Sequence, residues 1–329
     1  MRDIIIGEND SGQRLDRFLA KAFPNLSQGI IRSSLRKNRI KINGKRPAAD
    51  YRLKRNDTLR LYMDEFVSEK PRRAFYGISG ELNIIYEDEN LLLLDKPVGL
   101  PVHEDNENTP DTLINRITIY LQNKGEYNPE NEISFRPSLC NRIDRNTGGI
   151  VIAAKNAEAL RIISQKIKDR ELTKLYLCAV NGVPAKKADT LTAYLEKFPD
   201  RNMVRVANKK TPDSKIIKTA YRVLDDSGNK NISLLEVNLL TGRTHQIRAH
   251  LAFIGHPLLG DGKYGKQSKA FKYQALYSYK LRFDFKSHAG ILEYLNGQEF
   301  EVKDVWFLEK YFNMKNLNSD VNSIRTRVQ

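Results

Sequence analysis

Hydrophobic positions recur at two periods along this chain, and the changes between them mark its elements. Leu15, Phe18, Leu19 and Ala22 fall at helical spacing. Ser27 then stands as the N-cap of a second helix, with Ile30, Ile31 and Leu35 on one side and Arg32 and Arg36 on another. Ile40-Lys41-Ile42-Asn43-Gly44-Lys45 alternates as a strand and runs into an Asn-Gly turn, and Thr58–Tyr62 reads as a closing strand. Residues 66–80 carry Pro, Gly and charge without a period, which predicts a linker. From Leu82 onward, strand-like runs (Ile84–Tyr86, Leu91–Leu94, Gly149–Ala154, Leu175–Val180, Ile232–Leu240, Phe300–Val302) mix with helical ones (Leu113–Gln122, Ala157–Arg170, His245–Ile254). The order lacks the regular alternation of a doubly wound sheet, so the expected class is α+β. The expected division is a module over 1–65, the linker over 66–80, a larger domain over 81–315 and a polar tail over 316–329. No internal repeat is visible.

Composition changes this picture in one respect. Hydrophobic and charged fractions, 40% and 29% of 329 residues, are ordinary, but 55 Lys plus Arg against 40 Asp plus Glu leave a net charge of +15. The excess is concentrated. Between Gln28 and Arg60 stand eleven Lys or Arg against two acids, Asp50 and Asp57. A polyanionic partner, nucleic acid or an anionic membrane surface, fits such a balance. The membrane reading is weak: the apolar runs fall far short of the ~20 residues a span needs, and acids interrupt Met1–Glu8 too soon for a secretory signal. Cys140 and Cys178 make neither a disulfide framework nor a CxxC zinc pair, which predicts reduced thiols and a cytoplasmic protein.

Arg32, Arg36, Lys37, Arg39, Lys41, Lys45 and Arg46 are the candidate phosphate contacts of the first module. Guanidinium groups offer planar bidentate donors, and each neutralised phosphate releases counterions. The plain alternative is a solvated helix face followed by a charged hairpin. The run from Arg14-Leu15-Asp16-Arg17-Phe18-Leu19 to Asn43-Gly44-Lys45 resembles the small alpha-L RNA-binding module described in a small-subunit ribosomal protein.

Chemistry is concentrated in Asn141-Arg142-Ile143-Asp144-Arg145-Asn146-Thr147-Gly148-Gly149, just before the apolar strand Ile150–Ala154. A carboxylate flanked by Arg142 and Arg145 on a rigid edge is open to four uses: structural ion pair, Arg anchor, metal ligand or nucleophile. The run resembles the catalytic signature of RluA-type pseudouridine synthases, whose usual form is His-Arg-Leu-Asp-x-x-Thr-Ser-Gly. It departs from that form at Asn141, Ile143 and Gly148. Three further pieces resemble family motifs in the family's order: Asp95–His103 with Lys96-Pro97-Val98-Gly99, Lys174–Gly182 with Lys174-Leu175-Tyr176, and Leu240–Leu251 continuing to Gly260-Asp261.

The resemblance implies isomerisation of uridine to pseudouridine in structured RNA, without a cofactor or metal. Asp144 would be the nucleophile, Tyr176 would stack on the uracil, and Arg248 would pair with Asp144, Arg243 being the alternative. Arg142 would fill the gap left when the base flips out. It also implies a mixed, mainly antiparallel central sheet flanked by helices, with the cleft crossing its middle. The expected RNA is large-subunit ribosomal RNA, with tRNA as the alternative, and a monomer is the default. A catalytically inactive RNA-binding or ribosome-assembly protein on the same fold competes with this reading. So does an unrelated enzyme in which Asp144 is structural. Gly260-Asp261-Gly262-Lys263-Tyr264-Gly265 spells G-x-G-x-x-G, but no buried strand clearly leads into it and no apolar helix follows, so no nucleotide cofactor is expected. His245 and His250 are five residues apart, and no HExxH occurs, so no metal is expected.

Overall fold

The alternating Ile4 and Ile6 open a strand that the sequence pattern did not mark. In the computed structural model, which describes residues 1–62, 77–104, 109–226, 231–266 and 271–312, β1 (Arg2–Ile5) is followed by α1 (Leu15–Ala22), α2 (Gln28–Arg36), β2 (Ile40–Ile42) and β3 (Thr58–Leu61). Most of the expected linker and all of the expected 316–329 tail lie outside the described residues. The three strands form an antiparallel sheet in the order β1-β3-β2. Asn43 (φ 50°) and Gly44 (φ 78°) supply the two positive φ values that a two-residue hairpin turn of this type demands. Both helices and the sheet close over one core that includes Ile6, Leu15, Phe18, Leu19, Ile31, Leu35, Leu53 and Leu59. Ser27 caps α2 as expected, accepting the Ile30 N–H at 3.3 Å. Ile30 itself is 40% exposed, against expectation: the buried line of α2 is Ile31, Ser34 and Leu35, and Ile30 stands just outside it.

The second sheet holds eleven strands among the described residues. Chain order runs β4 (Ile84–Glu87), β5 (Leu91–Lys96), α3 (Leu113–Asn123), β6 (Ser138–Leu139), β7 (Gly148–Ala154), α4 (Ala157–Lys168) and β8 (Leu172–Asn181). It continues with β9 (Ala188–Phe198), β10 (Met203–Ala207), β11 (Lys215–Asp225), β12 (Ile232–Leu239), α5 (Gln246–Phe253), β13 (Leu276–Phe283), β14 (Glu299–Glu301) and α6 (Trp306–Phe312). The spatial order is β10-β9-β11-β12-β8-β13-β7-β5-β4, with β14 on β13 and β6 on β7. Among the described pairings only β13 with β7 is parallel, so two antiparallel halves meet there. This is the expected mixed, mainly antiparallel sheet flanked by helices. The pattern did not mark β6, β9, β10, β11, β13 or α6.

Period-two alternation explains why the central strands look uniformly apolar. Leu91, Leu93, Ile150 and Ile152 face one core, shared with Ala159 and Ile163 of α4 and with Phe307 and Leu308 of α6. Leu92, Leu94, Val151 and Ala153 face the other, shared with Leu113, Ile117 and Leu121 of α3 and with Ile247 and Leu251 of α5. A strand covered on both faces needs apolar side chains at every position.

The first unit docks on the second through polar groups. The Asn9 amide donates to Glu132 at 2.7 Å while its oxygen accepts the Ala157 N–H at 3.0 Å. Gln13 donates to the Ser134 hydroxyl at 3.0 Å, and Arg161 donates to the Ser11 carbonyl at 3.0 Å. Ala157 begins α4 just after the C-terminal end of β7, whereas Asp144 precedes its N-terminal end. The seven residues of β7 put about 20 Å between those ends.

Candidate active site

Two glycines fix where the Asp144 loop sits. A Cβ on Gly149, whose φ is +106°, would lie 2.1 Å from the Ser278 carbonyl oxygen, and one on Gly148 would lie 2.4 Å from the Tyr277 ring. Their bare backbone lets β13 come alongside, with Tyr277 opposite Gly148 and Ser278 opposite Gly149. Asp144 is thereby held at the one parallel seam. Its carbonyl accepts the Thr147 N–H at 3.0 Å to close a turn.

The Lys-Pro loop grips the same segment from the other side. Lys96, fully buried, donates through Nζ to the carbonyls of Pro97 (2.8 Å), Leu100 (2.8 Å) and Arg145 (2.9 Å). Gly99 N–H also donates to the Arg145 carbonyl at 2.9 Å. Burial pushes the Lys96 ammonium down to about 7, and the Asp144 and Asp95 carboxylates act against that.

Arg248 joins two acids. Its Nη1 donates to Asp144 Oδ2 at 2.8 Å, while Nε and Nη2 fork onto Asp261 at 2.7 and 2.9 Å. Asp261 is buried and takes two further N–H groups, from Lys263 at 3.0 Å and Tyr264 at 3.2 Å. The Tyr264 ring lies under the guanidinium, 5.3 Å from centroid to Cζ. All three guanidinium nitrogens are engaged, so the Asp144 carboxylate meets a cation held in place by Asp261. Asp144 keeps a quarter of its side chain exposed, and of its two carboxylate oxygens only Oδ2 accepts a hydrogen bond among the described residues. Arg243, the alternative partner, is exposed and engages Gln246 through its backbone, the N–H donating to the Gln246 side chain and the carbonyl accepting the Gln246 N–H.

Tyr176 lies on β8 opposite Ser278 of β13, across the seam from Gly149. Burial pushes its hydroxyl up to about 12; a hydrogen bond with the Ser278 side chain opposes the shift and the nearby Asp144 charge adds to it. It is a neutral ring at ordinary pH. Arg142 is exposed beside the loop, with no hydrogen bond or ion pair among the described residues.

His245, in the left-handed conformation at the start of α5, places Nε2 3.9 Å from Asp144 Oδ2 and Nδ1 2.8 Å from the Tyr264 hydroxyl. Burial lowers its pKa, so it faces the carboxylate uncharged near neutral pH and Arg248 carries the positive charge. The sequence pattern singled out neither His245 nor Asp261 for this network, although both stand within the quoted motif run.

Two of the three departures from the signature, Asn141 and Gly148, have local causes. Asn141 accepts the Ile152 N–H at 2.8 Å and turns its amide to the Ile150 carbonyl, bonding to β7 as a strand neighbour would. Gly148 lies under Tyr277, whose hydroxyl donates to Asp95 at 2.6 Å, so a side chain there would collide with the ring. Neither residue has a bond to the Asp144 carboxylate.

In the first unit Arg32, Arg36, Lys37, Arg39, Lys45 and Arg46 are exposed, with no acidic partner among the described residues. Lys41 differs: it is half-buried, with Nζ 5.3 Å from the Tyr62 ring centroid. Neighbouring arginines are paired, Arg14 with Asp16, Arg55 with Glu8 and Arg60 with Asp3.

The fold that holds this acid and arginine is shared with proteins of known structure. Human RNA pseudouridylate synthase domain containing 1 has this fold, with a TM-score of 0.56 at 22% identity over 75% of this chain and 95% of that one. Residues 90–253 match the RNA pseudouridylate synthase family. An uncharacterized RNA pseudouridine synthase of Mycoplasma genitalium is 32% identical over 92% of this chain and 96% of its own length. Ribosomal large subunit pseudouridine synthase D of Borreliella burgdorferi is 32% identical over 73% of this chain and 72% of its own. The chain belongs to the RNA pseudouridylate synthase family and is an enzyme that isomerises uridine in RNA.

Proposed function

We propose that this enzyme forms pseudouridine in large-subunit ribosomal RNA, with Asp144 as its nucleophile. The observation that carries the assignment is the Asp144–Arg248–Asp261 relay, in which one Asp144 oxygen is held at 2.8 Å and the side chain stays a quarter exposed. A carboxylate fixed in this way is oriented and open to substrate. Breaking the glycosidic bond, turning the uracil and joining its C5 to the sugar needs no water, so one carboxylate suffices. Tyr176 gives the flipped base an aromatic face, and Arg142, exposed beside the loop, fills the vacated stack. Arg248 keeps Asp144 aimed. No step calls for a cofactor or metal.

The ribosomal target is favoured by the name of the Borreliella relative, which aligns over 73% of this chain. The first unit, whose Arg32, Arg36, Lys37, Arg39, Lys45 and Arg46 are exposed with no acidic partner among the described residues, would hold a folded RNA by its phosphates. We take the unit as residues 1–65, the synthase domain as 81–315, and the protein as a monomer. The test is transcriptome-wide pseudouridine mapping in cells carrying the wild type, no copy, or Asp144→Asn. Loss of the same large-subunit rRNA sites in the last two is the expected result. Lost sites confined to tRNA would overturn the target, and sites retained with Asp144→Asn would overturn the nucleophile.

A further inference from the structure

The β9–β10 hairpin is anchored at the active site by one face and presents the other to solvent. Its inner face, Ala193, Leu195, Val204 and Val206, packs on Ala249 of α5, next to Arg248, with Tyr264 against it. Two bonds fasten its turn: Lys263 Nζ donates to the Asn202 carbonyl at 2.8 Å, and the Tyr264 hydroxyl accepts the Val204 N–H at 3.0 Å. The backbone N–H groups of Lys263 and Tyr264 are the ones that bind Asp261. The hairpin turn is therefore one side chain away from the network that holds Asp144.

The outer face has the wrong composition for idle surface. Phe198 and Met203 are register partners at the end of the ladder, each 36% exposed. Two residues further, Arg205 stands opposite Glu196 at a loose 3.9 Å, and Ile216 of β11 is 47% exposed opposite Tyr194. Arg201 in the turn, Lys209 and Lys210 just after β10, and Lys218 on the Ile216 side of β11 are exposed, and none has an acidic partner among the described residues. An aromatic ring among unpaired cations is the arrangement that binds single-stranded nucleic acid, the ring stacking on a base and the cations following the backbone.

We propose that this hairpin is a second RNA-contact surface beside the cleft, with Phe198 stacking on an unpaired base and the surrounding Lys and Arg taking the adjoining phosphates. It deepens the proposed function and rests on that reading of the cleft. The occupant is single-stranded RNA next to the target nucleotide, because a ring at a hairpin end needs an exposed base face, which a continuous duplex buries.

The experiment compares full-length wild type, Phe198→Ala, Phe198→Trp and the triple variant Arg201→Ala/Lys209→Ala/Lys210→Ala, after thermal melts confirm folding. The probes are a fluorescein-labelled 15-nucleotide oligouridylate and a blunt RNA duplex of the same length, titrated at several salt concentrations. Phe198→Ala should weaken oligouridylate binding about tenfold and leave the duplex unaffected, while Phe198→Trp binds as the wild type does. The triple variant should weaken oligouridylate binding with a shallower salt slope. Wild-type binding with unchanged variants would overturn the hairpin assignment alone. A wild type that binds neither probe would overturn the RNA-binding reading with it. A change of oligomeric state in Phe198→Ala would give the face to a second copy of the chain and overturn the proposal.

Discussion

Arg248 and Arg36 are the same side chain in opposite surroundings. Arg248 is buried, has both edges of its guanidinium bound to carboxylates and lies on a tyrosine ring; Arg36 is exposed and touches no acid among the described residues. The contrast extends to their regions. Charges that orient a reacting group are most useful when fixed beforehand, because the network then needs no reorganisation as the reaction proceeds. Charges that take a phosphate must be left without protein partners, since a competing carboxylate would have to be displaced first. A count of Lys and Arg cannot separate these two uses, whereas partners and burial do.

The strongest way to break the comparison is to alter the cleft. Asp144→Asn should lower turnover by at least ~10³-fold with RNA affinity and melting temperature nearly unchanged, because shape and size are kept. Single-turnover kinetics at saturating RNA check this, and a loss under tenfold would remove Asp144 from the chemistry. Arg248→Lys comes next. One ammonium cannot serve Asp144 and fork onto Asp261 together, so turnover should fall ~100-fold and stability by about 3 kcal/mol as Asp261 is left half-paired in the interior. Urea denaturation beside kinetics separates the two effects.

A smaller effect sharpens the same contrast through pH. Burial pushes His250, two residues from Arg248 on α5, down to about 4; its Nδ1 lies 3.0 Å from the Thr219 hydroxyl. An unfolded histidine titrates near 6.5, so between pH 6.5 and 4 the unfolded chain binds more protons than the folded one. Stability contributed by neutral His250 is complete above 6.5 and falls as pH drops to 4, by at most about 3 kcal/mol. Denaturation at pH 7.5 and 5 should show a steeper loss for wild type than for His250→Gln. Equal losses would mean that His250 does not titrate in that window.

How much of this was legible in the sequence differs between the two regions. Local signals were enough for Ser27 as a helix cap, for the Asn43-Gly44 turn and for the runs that became β5 and β7, since each is decided within a few residues. The strands β9–β11 were missed because their buried residues alternate with Thr, Glu, Lys and Arg, as suits the edge of a sheet, and β13 because Lys and Arg interrupt its aromatic run. At the site, the motif run contained Asp144, Arg248 and Asp261, but Arg248 touches Asp144 across 104 positions of chain. No local pattern states such a contact. Gly148 looked like a defect in the signature until the Tyr277 ring beneath it supplied the reason, and that ring comes from β13, one of the strands the pattern missed.

The gentlest expected effect belongs to the first unit. Removing residues 1–80 is a blunt test, because Asn9 accepts the N–H that begins α4 and Ile133 packs against the unit's core, so truncation exposes groups of the synthase domain. Arg32→Ala, Arg36→Ala and Arg39→Ala together are cleaner. These side chains are exposed and unpaired among the described residues, and stability should change by no more than about 0.5 kcal/mol. If each neutralises one phosphate, the slope of log affinity against log salt should become shallower by up to ~3, with affinity falling at every salt concentration. The rate at saturating RNA should hold, since the unit is attached at the end of β7 about 20 Å from Asp144. A lost saturating rate would mean that the unit shapes the cleft through its contacts with α4. An unchanged salt slope would mean that these cations are solvated surface and that the phosphate grip lies elsewhere, with the β9–β10 hairpin the next place to look.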